Sequence, residues 1–115
     1  MVKLESLKKS NHFKIALREK KFHADCFSIF AAKNFIKTKH KNALKISFVV
    51  KKKIGNAAKR NRIKRKLKAI VLKLSKIKGA INYNYTYIVF GKTEAYTENH
   101  NTLLSEMTKI FKKIK

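Results

Sequence analysis

The chain has 115 residues, of which 44% are apolar, and it carries a formal net charge of +24 at pH 7. This length favours a single hydrophobic core, so residues 1 to 115 are predicted to form one domain. The apolar fraction excludes a purely disordered basic tail, and the charge indicates that a polyanion neutralises the folded protein. The single cysteine and the lack of any 18-residue apolar run predict a cytoplasmic protein with no membrane partner.

The first half of the chain is predicted to contain a short helix followed by two strands. Apolar side chains recur at helical spacing from about Ser10 to Lys20. Aromatic and β-branched residues favour strands at residues 26 to 32 and 44 to 50. A polar, cationic loop at residues 37 to 43 separates them, so the two strands are expected to pair as an antiparallel hairpin.

A long amphipathic helix is predicted after Gly55. Its apolar stripe consists of residues spaced for one face of an α-helix, namely Ile63, Leu67, Ile70, Val71, Leu74 and Ile77. Arg62 and Arg65 lie on the opposite side, so one face packs and a cationic face points outward. Gly79 stands where a left-handed residue would end the helix.

A third strand at residues 85 to 90 and a second amphipathic helix from about Glu98 complete the pattern. Thr97 or Asn99 would cap that last helix. The predicted order is therefore α-β-β-α-β-α, with room for one extra strand. The succession of strand, helix and strand predicts an α+β fold, a two-layer sandwich in which a mixed β-sheet carries helices on one face.

The stretch KKKIGNAAKRNRIKRKLKA, residues 51 to 69, holds ten basic residues and no acidic one. It contains three of the four arginines in a chain that otherwise uses lysine, at Arg60, Arg62 and Arg65. Such a helix gains no internal ion pairs, so an idle solvated face explains it poorly. The arginine fork binds phosphate bidentately, and a helix N-terminus attracts anions. We therefore predict that this surface binds the backbone of a nucleic acid.

Two residues at the start of this helix have predicted local roles. Gly55 is expected to permit a tight passage from strand to helix. For Asn56, an N-cap role and a direct contact with phosphate are both compatible with the sequence.

No catalytic or metal site is predicted on the chain itself. The four histidines are scattered, without partners at the spacing of a catalytic triad or a metal site. The six acidic residues leave the region from Cys26 to Thr93 without a carboxylate, whereas a two-metal nuclease site needs several. Any bond breaking is therefore expected to be done by a bound partner.

The segment KKIGNAAKRNRIKRKL resembles the signature of the bacterial ribonuclease P protein subunit. That pattern reads Lys-Lys, a hydrophobic residue, Gly-Asn-Ala, then Arg-Asn-Arg, one residue, and Lys-Arg. Weaker similarity extends to LKKSNHF near the start, to YIVFGK and to the final helix, so the resemblance covers nearly the whole chain. It implies an α+β sandwich with a left-handed β-α-β crossover.

The resemblance also implies a function. Proteins of this family are basic cofactors of a catalytic RNA, and the two together remove the 5′ leader from precursor tRNA, with Mg²⁺ held mainly by the RNA and the substrate. The implied partners are the catalytic RNA and precursor tRNA, with no obligate protein partner. The RNA-binding positions carried over are Lys52, Lys53, Asn56, Arg60, Asn61, Arg62, Lys64, Arg65 and Lys68. Those of a cleft for the single-stranded leader are Phe13, Leu17 and Phe30, for which a plain core role is equally open.

The sequence departs from the family pattern at four positions. Val49 and Lys51 stand where serines are common, Gly91 where arginine is common, and Leu17 where an aromatic residue is common. These changes bear on the leader cleft and leave the RNA-facing helix intact. The alternative function is that of a structural RNA-binding protein of the ribosomal type, in which the same helix only neutralises phosphate.

Overall fold

A computed structural model describes residues 3–5, 10–18, 20–33, 43–77 and 79–114. The helices are α1 (Ser10–Leu17), α2 (Ala57–Ser75) and α3 (His100–Lys113), and the strands are β1 (Lys3–Glu5), β2 (Lys20–His23), β3 (Phe27–Lys33), β4 (Ala43–Val49) and β5 (Tyr85–Gly91). Short 3₁₀ turns at Lys52–Ile54 and Thr93–Tyr96 precede α2 and α3. The α+β class is confirmed, with β1 and β2 as additional strands. The predicted loop at residues 37 to 43 lies outside the described residues, except for residue 43.

The strands form one mixed five-stranded sheet in the order β1-β4-β5-β3-β2. β4 runs parallel to β1 and β5, whereas β3 runs antiparallel to β5 and β2. The expected hairpin of β3 and β4 is wrong, because β5 lies between these two strands. Tyr87, Ile88 and Val89 of β5 are all buried, so both faces of this strand are covered. A strand that is apolar on both faces is most stable at the centre of a sheet.

Helix α2 connects two parallel neighbours. β4 and β5 pair in parallel, so the chain must cross one face of the sheet between them. α2 makes this crossover and packs against both strands. The left-handed sense of the crossover stays an expectation from the family resemblance.

The larger core lies between one face of the sheet and the helices α2 and α3. The predicted stripe of α2 is buried at five positions, namely Ile63, Leu67, Ile70, Val71 and Leu74. It packs with Ile29 of β3, Tyr87 of β5 and Met107 of α3. Burial of these large side chains is the main stabilising term for a domain of this size.

α2 ends earlier than its apolar pattern predicts. Ile77 is 56% exposed because the helix already ends at Ser75. Gly79 has a φ of +80° and so adopts the expected left-handed conformation, in the turn that follows the helix.

Helix α1 packs on the opposite face of the sheet. Ala16 of α1, Ala32 of β3 and Ile88 of β5 form a second buried cluster there. The prediction that the helices share one face is therefore wrong for α1. β3 and β5 carry buried apolar side chains on both faces, so each face of the sheet must pack against a helix. α1 is also shorter than predicted, since it ends at Leu17 and β2 begins at Lys20.

Both long helices begin after an asparagine cap. Oδ1 of Asn56 accepts a hydrogen bond from the backbone N–H of Lys59 at 2.9 Å, and Oδ1 of Asn99 accepts one from Thr102 at 2.8 Å. Of the two expected caps for α3, Asn99 is therefore the one used, not Thr97. Among the described residues, no helix has the length and apolar character needed to cross a membrane.

Candidate RNA-binding surface

A 3₁₀ turn, rather than a direct passage from strand to helix, leads into α2. After this turn Gly55 has a φ of 164°, an extended conformation that any residue adopts, so the predicted conformational role of Gly55 is wrong. The missing side chain matters for packing instead, because a Cβ at Gly55 would lie 2.7 Å from Cδ of Lys59. The glycine leaves room for the stem of this lysine beside the Asn56 cap.

The exposed polar residues from Lys52 to Lys68 form what we call the basic surface. It comprises Lys52, Lys53, Asn56, Asn61, Arg62, Arg65 and Lys68, all of which are exposed. Capping uses only Oδ1 of Asn56, so the amide NH₂ of this residue can still donate to a phosphate. The N-terminus of α2 adds its partial positive charge to the same region.

Two predicted RNA-binding residues, Arg60 and Lys64, are half-buried. Arg60 lies three residues before Ile63 and therefore borders the packed stripe of α2. Its Nε is buried and has no hydrogen-bond partner within the described part of the chain. The helical period thus makes Arg60 and Lys64 less accessible to RNA than Arg62 and Arg65.

A cavity of about 810 Å³, which we call the α2 groove, lies beside the start of the helix. Its lining consists of Ile54, Gly55, Asn56, Ala58, Lys59, Asn61, Arg62, Arg65 and Tyr96. Cationic and amide side chains dominate this list. Such donors suit the phosphodiester backbone of a nucleic acid better than an apolar ligand.

Tyr96 brings an aromatic ring into the α2 groove, a contribution that the sequence analysis missed. Nζ of Lys59 lies 5.1 Å from the centroid of this ring, and Cζ of Arg62 lies 5.5 Å from it. Nζ of Lys66 donates to the carbonyl oxygens of Tyr96 at 3.1 Å and Glu98 at 2.6 Å. Through these hydrogen bonds, Lys66 anchors the segment after β5 to α2. No local signal reveals this contact, because Tyr96 is distant from α2 in sequence.

A second cavity of about 540 Å³, which we call the sheet cleft, opens beside α1 and β3. It is lined by Leu17, Lys21, Ser28, Phe30, Lys51, Lys53, Ile54, Phe90, Gly91 and Lys92. Two of the three predicted leader residues, Leu17 and Phe30, are in this lining. Phe13 is not, since it is half-buried against the cluster of Ala16, Ala32 and Ile88.

Phe90 makes the sheet cleft more aromatic than expected. Its ring meets the ring of Phe30 edge-on, with centroids 5.5 Å apart. Nζ of Lys21 lies 5.2 Å from the Phe30 centroid, and Nζ of Lys51 lies 5.9 Å from the Phe90 centroid. Strand register brings Lys21 opposite Phe30 and Phe90 opposite Ser28. The sequence alone does not reveal that register, so the sequence analysis did not predict Phe90 and Lys21 as residues of the sheet cleft.

The four departures from the family pattern are concentrated around this cleft. Leu17, Lys51 and Gly91 line it, and Val49 packs against the cluster below α1. The cleft keeps an apolar floor, but its rim is cationic where serine is common in the family.

The α2 groove and the sheet cleft adjoin at Ile54. This half-buried residue lines both cavities, and Lys53 beside it lines the cleft while belonging to the basic surface. A polynucleotide bound along the start of α2 can therefore reach the aromatic rings of the cleft without crossing an acidic region. No carboxylate is present in the lining of either cavity within the described residues.

Carboxylates gather instead around the buried Cys26. Burial, together with the negative charges of Glu106, Glu98, Asp25 and Glu94, raises the pKa of the Cys26 thiol to about 11. Burial likewise raises the pKa of the Glu106 carboxyl, with Asp25 and Glu98 acting in the same direction. Within the ranges that the structure describes, no three His, Cys, Asp or Glu residues are grouped closely enough to hold a metal ion.

The mixed sheet, the arginine-bearing start of α2 and the adjoining aromatic cleft define a class of protein. A surface rich in lysine and arginine that leads into an aromatic platform is typical of proteins that bind structured RNA and an unpaired strand. The fold and the site therefore define a small, basic α+β RNA-binding protein.

The Ribonuclease P family model matches residues 1–115, so the chain belongs to the ribonuclease P protein family. The ribonuclease P protein component of Mycoplasmopsis synoviae (strain 53) is 32% identical over 115 residues, which cover 100% of this chain and 94% of that relative. The ribonuclease P protein of Thermotoga maritima has the same fold, with a TM-score of 0.76 at 22% identity, over 96% of this chain and 98% of the other. The Staphylococcus aureus protein gives a TM-score of 0.71 at 23% identity, over 96% and 94%.

Family membership establishes what this chain does. It is the protein component of a ribonucleoprotein endonuclease that matures the 5′ end of tRNA, and it associates with the ribonuclease P RNA. In this family the RNA does the chemistry. The comparisons do not favour the alternative of a ribosomal-type protein.

Proposed function

We propose that the chain holds both the catalytic RNA and the precursor tRNA substrate, using two adjoining surfaces. The basic surface binds the folded catalytic RNA, and the sheet cleft receives the single-stranded 5′ leader of the precursor. The observation that carries this proposal is the junction at Ile54, where the α2 groove meets the cleft. Because the two cavities adjoin, one protein can bind the ribozyme and the leader side by side.

The exposure of Arg62 and Arg65 supports the first half of the proposal. A guanidinium can donate two parallel hydrogen bonds to one phosphate, which fixes geometry as well as supplying charge. Backbone contacts of this kind position a protein on RNA without reading its sequence. The basic surface is therefore suited to docking on a folded RNA by its shape and charge.

The aromatic pair in the sheet cleft supports the second half. Phe30 and Phe90 offer ring surface to unpaired bases, while Lys21 and Lys51 lie where the backbone of a strand would pass. Stacking of this kind tolerates different bases. The cleft is therefore expected to bind leaders with little sequence preference of its own.

Mg²⁺ is proposed as the cofactor of the assembled enzyme, held by the RNA and the substrate. The lysines and arginines of the basic surface do not suit the ion directly, because Mg²⁺ prefers oxygen ligands such as carboxylates. Lysine and arginine side chains have no acceptor to offer. This chain is expected to contribute by neutralising phosphate around the site. We also propose a cytoplasmic location, where the family's tRNA processing takes place.

Reconstitution tests the function. The chain is added to a bacterial ribonuclease P RNA at low Mg²⁺, and removal of the leader from precursor tRNA is followed. Cleavage that rises with added protein is expected, because the cations of the basic surface replace part of the Mg²⁺ that screens phosphate repulsion. Protein that binds the RNA but leaves cleavage unchanged would contradict the proposal.

The leader cleft is tested with a matched pair of phenylalanine variants. Phe30→Ala removes a ring from the cleft, whereas Phe13→Ala removes one that lies outside its lining. Phe30→Ala is expected to weaken binding of leader-bearing precursor by about tenfold and to spare mature tRNA, since base stacking on one ring contributes ~1–3 kcal/mol. Phe13→Ala is expected to affect both RNAs equally. Equal losses for both RNAs in Phe30→Ala would show that this ring only packs.

A further inference from the structure

We propose that Tyr96 is a positioning residue for the basic surface. Its ring holds the ammonium group of Lys59 and the guanidinium of Arg62 together in the α2 groove, ready to receive phosphate. This inference rests on the proposed role of the basic surface in docking the catalytic RNA.

The two cations need such a partner because they are close neighbours on one helix. Lys59 and Arg62 are three residues apart on α2, a spacing that brings side chains together and makes like charges repel. An aromatic ring has a negative face that attracts cations within about 6 Å of its centroid. Both groups lie within that range of Tyr96, at 5.1 Å and 5.5 Å. The ring therefore offsets their mutual repulsion.

The backbone that carries the ring is held in place by the protein. Lys66 binds the carbonyl oxygens of Tyr96 and Glu98, which ties the end of the 3₁₀ turn to α2. The preceding residue, Ala95, is fully buried in the larger core. The side chain of Tyr96 is 36% exposed and extends from this anchored backbone. A ring carried by an anchored backbone can order the two flexible side chains that lie over it.

The ordering of the Lys59 and Arg62 side chains is expected to affect RNA binding because of where these side chains lie. Lys59, Arg62 and Tyr96 all line the α2 groove, beside the N-terminus of α2. Long lysine and arginine side chains lose conformational freedom when they bind a ligand, and that loss weakens affinity. Side chains that are already ordered lose less. Tyr96 is therefore expected to strengthen RNA binding without contacting RNA.

Two substitutions of Tyr96 distinguish the contribution of its aromatic ring from that of its hydroxyl group. Tyr96→Leu keeps an apolar side chain but removes the ring, and Tyr96→Phe keeps the ring. Affinity for a bacterial ribonuclease P RNA is measured over a series of salt concentrations. Tyr96→Leu is expected to lower affinity about threefold to tenfold, with the salt dependence unchanged because the phosphate contacts remain. Tyr96→Phe is expected to bind like the parent protein.

A double-substitution cycle distinguishes positioning from direct contact. In a background that carries both Lys59→Ala and Arg62→Ala, Tyr96→Leu is expected to have no further effect on affinity. The same fold loss in both backgrounds would show that Tyr96 contacts RNA itself or merely supports the fold, and would overturn the proposal.

NMR spectroscopy of the free protein tests the contact of Tyr96 with Lys59 and Arg62 without any RNA present. The ring of Tyr96 is expected to shift the δ protons of Arg62 and the ε protons of Lys59 upfield in NMR spectra, and Tyr96→Leu to abolish that shift. Absence of the shift in the parent protein would overturn the positioning role. A protein that shows the shift but does not bind the RNA would instead contradict the proposed function of the basic surface.

Discussion

A Cβ on Gly91 would lie 2.6 Å from Cγ2 of Ile63, so the end of β5 and the first half of α2 are in close contact. The same Cβ would meet Val50 at 3.0 Å and Leu67 at 3.2 Å. Gly91 also lines the sheet cleft. Its missing side chain therefore allows α2 to pack directly against the strand that forms the cleft. Arginine, common in the family at this position, does not fit this packing.

Gly91→Ala is expected to destabilise the protein by about 1–3 kcal/mol, because an added methyl group in a packed core forces its neighbours apart. Urea denaturation at neutral pH measures the change. Gly55→Ala is the control, since its Cβ would meet only the side chain of Lys59, which can move. A Gly91→Ala midpoint equal to that of the parent protein would contradict the close packing of β5 on α2.

Arg65→Ala is expected to weaken binding to the catalytic RNA and to reduce the slope of log affinity against log salt by roughly 0.7–0.9, the value for one lost phosphate contact. Filter binding or fluorescence anisotropy at several salt concentrations provides the slope. Lys73→Ala is the matched control, because it removes one exposed charge from the same helix outside the basic surface. An unchanged slope in Arg65→Ala would place this guanidinium away from the RNA.

The capping role of Asn56 and its proposed contact with phosphate can be tested separately. Asn56→Ala is expected to lower stability by about 1 kcal/mol through loss of the cap, and also to lower RNA affinity. Asn56→Asp keeps an acceptor for the N–H of Lys59 but has no donor for phosphate, so stability is expected to recover while affinity stays low. Thermal unfolding and RNA binding are measured for both variants.

The second asparagine cap supplies the control for that experiment. Asn99→Ala removes the equivalent bond at the start of α3 and is expected to cost a similar free energy without changing RNA affinity. If Asn56→Asp binds RNA as tightly as the parent protein, Asn56 acts as a cap alone.

Glu106 is expected to make stability depend on pH. A carboxyl whose pKa is raised by folding binds its proton more tightly in the folded state, so stability falls as pH rises above its ordinary value of 4.5 toward the raised value. Glu106→Gln is expected to remove this fall, as measured by urea midpoints from pH 4 to pH 7. Glu94→Gln, which removes an exposed carboxylate, is expected to retain it. If the parent protein and Glu106→Gln show the same dependence of stability on pH over this interval, Glu106 is not the group responsible.

The elements that the sequence predicted well are those fixed by local spacing. The stripe from Ile63 to Leu74 was recognised because every buried residue recurs with the period of one helix. Asn99 was one of the two caps predicted for α3, because a capping side chain bonds a backbone group only three residues away. The exposed arginines Arg62 and Arg65 followed from the same helical period.

The features that were missed depend on contacts between distant parts of the chain. The β3–β4 hairpin was wrong because β5, which follows both strands and α2, enters the sheet between them. Sequence order favours pairing of successive strands, but burial of both faces of β5 favours the central position. The position of α1 on the far face has the same origin.

The sequence by itself determined that this protein has a helix whose one face packs and whose other face is cationic, and it carried the family signature on that helix. Tertiary structure alone decided that Tyr96 lies beneath Lys59 and Arg62, that Phe90 joins Phe30, and that Ile54 connects the two cavities. Helical faces follow from a fixed rotation per residue, which can be read locally. Contacts across the sheet follow from strand order and register, which only the folding of the whole chain establishes.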